Sequence, residues 1–121
     1  MELTLAFWHL QTSRCQQAKA AFDPPAWDDL MAVVPGLLES GEPIEGARYS
    51  RSAACSGWWL YYRDRENDFD AVINQHAYHI THVRPDLVDF LALPPGYYFQ
   101  DRDPCGVGVL TGFHGEQQGP A

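Results

Sequence analysis

The sequence predicts one small α+β domain in which an antiparallel sheet carries packed helices. Three observations lead there. A chain of 121 residues has room for one core and little more. Helical spacing marks much of the first third, whereas aromatic runs suited to pleated strands begin near Ala47. The two kinds of segment are also grouped rather than regularly alternating, which argues against a parallel βαβ design. The expected domain covers residues 1–111, and residues 112–121 are expected to form a flexible, glycine-rich tail.

Taken in order, Glu2 to Leu10 sends Leu3, Leu5 and Phe7 one way and Ala6, Trp8 and Leu10 the other. Both sides are apolar, which predicts a strand covered on two faces, with a short buried helix as the alternative. Thr12 or Ser13 then caps a helix running to about Phe22. Asp23-Pro24-Pro25 is a second helix start, followed by Trp27, Leu30, Met31 and Val34 on one helical stripe until Pro35-Gly36. Arg48–Ala54 and Gly57–Arg63 are expected strands, and Asp64–Asp70 a solvated turn. Val72–Ile80 fits strand and helix equally. Arg84-Pro85-Asp86 opens a helix with Leu87, Phe90 and Leu91 on one side, Pro94-Pro95-Gly96 stops it, and Tyr97–Gln100 is the last expected strand.

Sixteen acidic residues against eight basic ones give a net charge of −8, and Lys19 is the single lysine. Such a chain is poorly suited to grip a phosphate backbone, so no nucleic-acid partner is expected. Cys15, Cys55 and Cys105 are odd in number and contain no C-x-x-C pair, which suits a reducing cytosol. Glu2 stands where a signal peptide needs positive charge, and the opening apolar run falls far short of the roughly 20 residues of a membrane span. The expected location is the cytoplasm, with no membrane partner.

Few residues carry a recognisable chemistry. His76, His79 and His82 form H-x-x-H-x-x-H, which on a helix would fan over about 120° and on a strand would divide between two faces. The glutamate of H-E-x-x-H is missing. The acidic turn lacks the central glycine and closing glutamate of a calcium loop. Ser56 precedes Gly57 without a G-x-S-x-G elbow, and no spacing ties Cys55 to a histidine. No catalytic residue and no cofactor is expected. The alternative is a small metal-dependent enzyme or sensor built on the three histidines.

The aromatic runs point elsewhere. Trp58, Trp59, Tyr61, Tyr62, Tyr97, Tyr98 and Phe99 on strands must send rings to both faces of the sheet. Burial of both faces is the plain outcome. The functional outcome is a displayed aromatic patch bordered by acids, which suits a protein partner. The candidate contact residues are Trp59, Tyr61 and Tyr98 as anchors, with Asp64, Glu66, Asp68 and Asp70 around them.

Ser56-Gly57-Trp58-Trp59, a stretch with His76 and His79, and the run from Arg84-Pro85-Asp86-Leu87 to Leu93-Pro94-Pro95-Gly96-Tyr97-Tyr98-Phe99 carry a family resemblance. Over about Ala47 to Asp103 the chain resembles the "immunity protein 33" type of domain found in bacterial polymorphic-toxin and type VI secretion loci. The resemblance implies a non-enzymatic antitoxin that binds a cognate effector toxin encoded nearby and blocks it; the expected state is a monomer or homodimer. It transfers no catalytic residues, and Met1–Gly46 lie outside it.

Overall fold

The computed structural model describes residues 2–102, 106–113, 115 and 119–120; Cys105 and residues 114, 116–118 and 121 of the expected tail lie outside them. The elements are helix α1 (Glu2–Ala18), strands β1 (Leu30–Val33), β2 (Ile44–Arg48) and β3 (Cys55–Tyr62), a 3₁₀ turn (Phe69–Ala71), strand β4 (Ile73–His76), helix α2 (Ala77–Val83), a 3₁₀ segment (Pro85–Phe90), and strands β5 (Tyr97–Gln100) and β6 (Val107–Val109). The α+β class holds. The six strands form one sheet in the order β4-β1-β3-β2-β5-β6. The sheet is mixed rather than purely antiparallel, because β1 runs parallel to β3 while every other pair is antiparallel.

The expected strand at Glu2–Leu10 is the first half of α1, and no new helix starts at Thr12 or Ser13. Leu, Ala, Glu and Gln in this stretch favour helix, and no glycine or proline interrupts it. Burial on α1 follows the helical period at Gln11 and Cys15, while Trp8 and Leu10 remain exposed. The helix ends where Lys19 turns left-handed at φ 54°.

The expected helix at Trp27–Val34 is strand β1 instead. Met31, Ala32, Val33 and Val34 are four consecutive buried residues, which a strand between two neighbours can supply, and the i, i+3, i+4 pattern was a coincidence of that run. The strand expected at Arg48–Ala54 lies earlier, at Ile44–Arg48, and residues beyond it turn back through a Ser52–Cys55 bridge with Ala53 at φ 28°. Val72–Ile80 divides into β4 and α2, and the helix expected after Arg84 is the short 3₁₀ segment. Strand β6 had no counterpart in the sequence reading.

The core lies between one face of the sheet and the helical layer. Val33, Ile44, Trp58, Leu60 and Phe99 meet Cys15, Ile80, Leu87, Phe90 and Leu91 there. Phe90 stacks on Phe99 at 4.4 Å, nearly parallel, and Trp58 meets Phe99 edge-on at 5.4 Å. The helix α1 is tied to the 3₁₀ segment by Gln11, whose amide donates to the Val88 carbonyl at 3.0 Å, and by Arg14, which pairs with Asp89.

Arg48 is fully buried in this core. It donates to the carbonyls of Ser56 (3.0 Å), Leu93 (2.8 Å) and Asp23, and lies over the Trp58 ring. Burial, with Arg51 nearby, lowers its pKa to about 10, so the guanidinium stays charged at neutral pH.

Candidate protein-binding face

Strand alternation gives the sheet a second face, and none of the helices of the core layer packs there. Register places Ala32, Trp59, Ala47, Tyr98 and Gly108 in one row across β1, β3, β2, β5 and β6. The next row holds Tyr61, Glu45 and Gln100. Large and small residues alternate along the first row so that the rings can lie over their neighbours. The Tyr98 ring occupies the space above Gly108, where a Cβ would stand 2.7 Å from its Cε1.

Phe69, from the 3₁₀ turn, packs edge-on against both Trp59 (6.1 Å) and Tyr61 (5.3 Å). The four rings of this face are half-buried. Asp68 caps the turn by accepting the Asp70 amide at 3.1 Å, and both acids are exposed on either side of Phe69. Glu45 accepts hydrogen bonds from the Tyr61 hydroxyl and from Gln100 Nε2 at 2.7 Å. Burial, and then Glu45, push the Tyr61 phenol well above its ordinary pKa.

Charge is partitioned unevenly. Arg14, Arg51, Arg63, Arg65 and Arg84 pair with Asp89, with Asp23 and Asp29, and with Asp64, Glu42 and Asp86 in turn, and Arg102 lies near Asp101. Arg48 is held by carbonyls in the core. Among the described residues, no such ion pair reaches Glu45, Glu66, Asp68 or Asp70. Of these, Asp68 and Asp70 flank Phe69 and Glu45 meets Tyr61, which gives this border a negative charge with no ion pair among the described residues, while Asp28 and Glu39 also stand without one in other loops.

Beside Trp59 the face dips into a pocket of about 100 Å³ lined by Leu30, Ala32, Ser52, Cys55 and Asn74 among others. The lining mixes apolar side chains with hydroxyl, thiol and amide groups and carries no formal charge.

Of the residues expected to make contact, the fold brings Trp59, Tyr61, Asp68 and Asp70 together and puts Tyr98 on the same face beyond Ala47. Asp64 and Glu66 are exposed in the loop leading there, Asp64 against Arg63 at 3.4 Å. Phe69, Glu45 and the pocket residues were not anticipated. The signal for Phe69 was an aromatic residue set between two acids in a supposedly solvated turn.

The histidines are spread over a strand end and a short helix. His76 Nδ1 lies 2.9 Å from the Asp28 carbonyl and its ring stacks on Tyr78, while His79 and His82 are exposed on α2. Among the described residues, no three His, Cys, Asp or Glu side chains group in a way that could hold a metal ion. No described helix is long and apolar enough to cross a membrane.

The segments that carry the family resemblance do structural work. Ser56 Oγ donates to the Leu30 carbonyl and accepts the Trp58 amide. Gly57, at φ 93°, lies against the Tyr49 backbone, and Trp58 Nε1 donates to the Leu91 carbonyl at 2.9 Å. In the second segment the Gly96 amide donates to the Arg48 carbonyl at 2.7 Å, and Leu93 receives the Arg48 guanidinium.

The fold is a sheet packed by helices on one side, with half-buried aromatic rings and exposed carboxylates on the other, where Gly119 lies against the Trp59 ring. A family model, the Imm33-like domain, matches residues 10–105, and the chain belongs to that family. The match begins well before the Ala47–Asp103 stretch of motif resemblance and takes in the second half of α1 and all of β1. No curated protein and no solved structure matches the chain.

Proposed function

We propose that this protein is an immunity protein that binds a cognate secreted bacterial effector toxin in the cytoplasm and neutralises it. The observation that carries this is the pairing of Imm33-like membership with an aromatic sheet face bordered by uncompensated acids. Aromatic rings held partly in place by one another lose little freedom on docking, and so anchor a partner efficiently. Surrounding negative charge accelerates capture of a basic toxin, such as one whose cleft receives an anionic substrate.

In this reading the protein performs no chemistry of its own. Trp59, Tyr61 and Tyr98 are the apolar anchors, and Asp64, Glu66, Asp68 and Asp70 steer the encounter. The toxin is encoded beside the immunity gene, in a polymorphic-toxin or type VI secretion locus. Co-expression tests it. The toxic domain from the neighbouring reading frame should kill cells when expressed alone and spare them when this protein is present, with a stoichiometric complex recovered. Equal killing in both cases would sink the proposal.

A further inference from the structure

The chain contains its own example of how it receives a guanidinium. In the 3₁₀ segment the dipeptide Asp89-Phe90 takes Arg14: Nε and Nη2 donate to Asp89 Oδ2 at 3.0 and 2.9 Å, while Cζ lies 4.5 Å from the Phe90 ring centre. A second site repeats the combination with Arg65, which lies 3.7 Å over Tyr62 and 3.3 Å from Glu42. A flat, weakly hydrated cation suits this company, because it stacks on a ring and pairs with a carboxylate at once.

The same dipeptide recurs on the open face as Asp68-Phe69, again at a 3₁₀ turn, with Asp70 added on the far side. Here the ring stands against Trp59 and Tyr61, the acids are exposed, and the chain's own arginines are engaged elsewhere. We infer that Asp68-Phe69-Asp70 is the seat for an arginine side chain supplied by a basic protein partner, stacked at Phe69 and paired with the flanking carboxylates. This deepens the proposed function and rests on it for the partner's identity. Charge complementarity selects a cation, and the ring selects arginine over lysine, whose compact ammonium holds its hydration more tightly.

The test uses hexa-arginine and hexa-lysine peptides titrated into the isotope-labelled full chain, read by NMR. Hexa-arginine should shift the Phe69 ring and the 68–71 amides and bind at least threefold more tightly than hexa-lysine. Phe69→Leu should bring the two peptides to equal affinity. Asp70→Asn, which leaves the rings in place, should weaken hexa-arginine binding at least threefold. Equal affinities for the unmodified protein, or shifts centred on Asp28 or Glu39 instead, would overturn the inference. The peptide result does not depend on any toxin. Failure of co-expression rescue would count against the immunity reading alone.

Discussion

The ring of Phe99 occupies the space where a side chain on Gly46 would begin: a Cβ there would overlap Cε2 and lie 2.6 Å from Cζ. Phe99 cannot retreat, since Phe90 is stacked on it and Trp58 meets its edge. Gly46→Ala should therefore destabilise the protein by about 2–3 kcal/mol, the cost of overpacking a filled core. Urea denaturation would register this as a lowered midpoint at unchanged slope.

Gly57 tests a different constraint. Its φ of 93° and its contact with the Tyr49 backbone exclude any side chain, and backbone cannot swing aside as a ring can. Gly57→Ala should cost at least as much as Gly46→Ala, by the same measurement. A cost below about 1 kcal/mol would mean that the Ser56-Gly57-Trp58 turn is not rigid.

Arg48 binds the sheet to the turn that follows the 3₁₀ segment and to the Asp23 linker through carbonyls alone. Arg48→Met would leave those buried acceptors unpaired, with an expected loss of about 3–5 kcal/mol. Thermal unfolding of the variant checks it.

Tyr61 makes stability depend on alkaline pH. Its phenol ionises less readily in the folded protein than in the unfolded chain, through burial and then Glu45. Its contribution is complete below the ordinary tyrosine pKa near 10 and is lost as pH rises above it, at about 1.4 kcal/mol per pH unit. Tyr61→Phe should flatten the fall in stability between about pH 10 and 11 relative to the unmodified protein. Tyr49, also shifted upward by burial, and Arg48 titrate in both proteins and cancel in the comparison.

The open face predicts separable kinetic effects on toxin binding. Reversing Asp64, Glu66, Asp68 and Asp70 to lysine should slow association about tenfold or more at low salt and abolish most of its salt dependence. Trp59→Ala should instead hasten dissociation, at a cost of about 2 kcal/mol. Surface plasmon resonance over a salt series distinguishes the two. An unchanged association rate for the four-lysine variant would remove the acids from the contact.

The elements legible in the sequence were those whose side chains had one job. β3 and β5 could be read because β-favouring aromatics must alternate between a core and an open face. β1 could not, because four buried residues in a row carry no period that separates strand from helix. α1 was obscured by Trp8 and Leu10, apolar residues that the fold leaves exposed. In the candidate site, Trp59 and the acids were visible as composition. Phe69 was hidden because its role depends on a loop folding back over residues that precede it by ten and eight positions.

The placement of β1 has a consequence for synthesis on the ribosome. β1 and β2 never touch as strands: each waits for β3, which seats β1 on one edge and β2 on the other. A nascent chain that has not yet delivered Cys55–Tyr62 can thus form no native ladder. Cotranslational assembly of the sheet begins only as β3 emerges, from the sheet's centre outward.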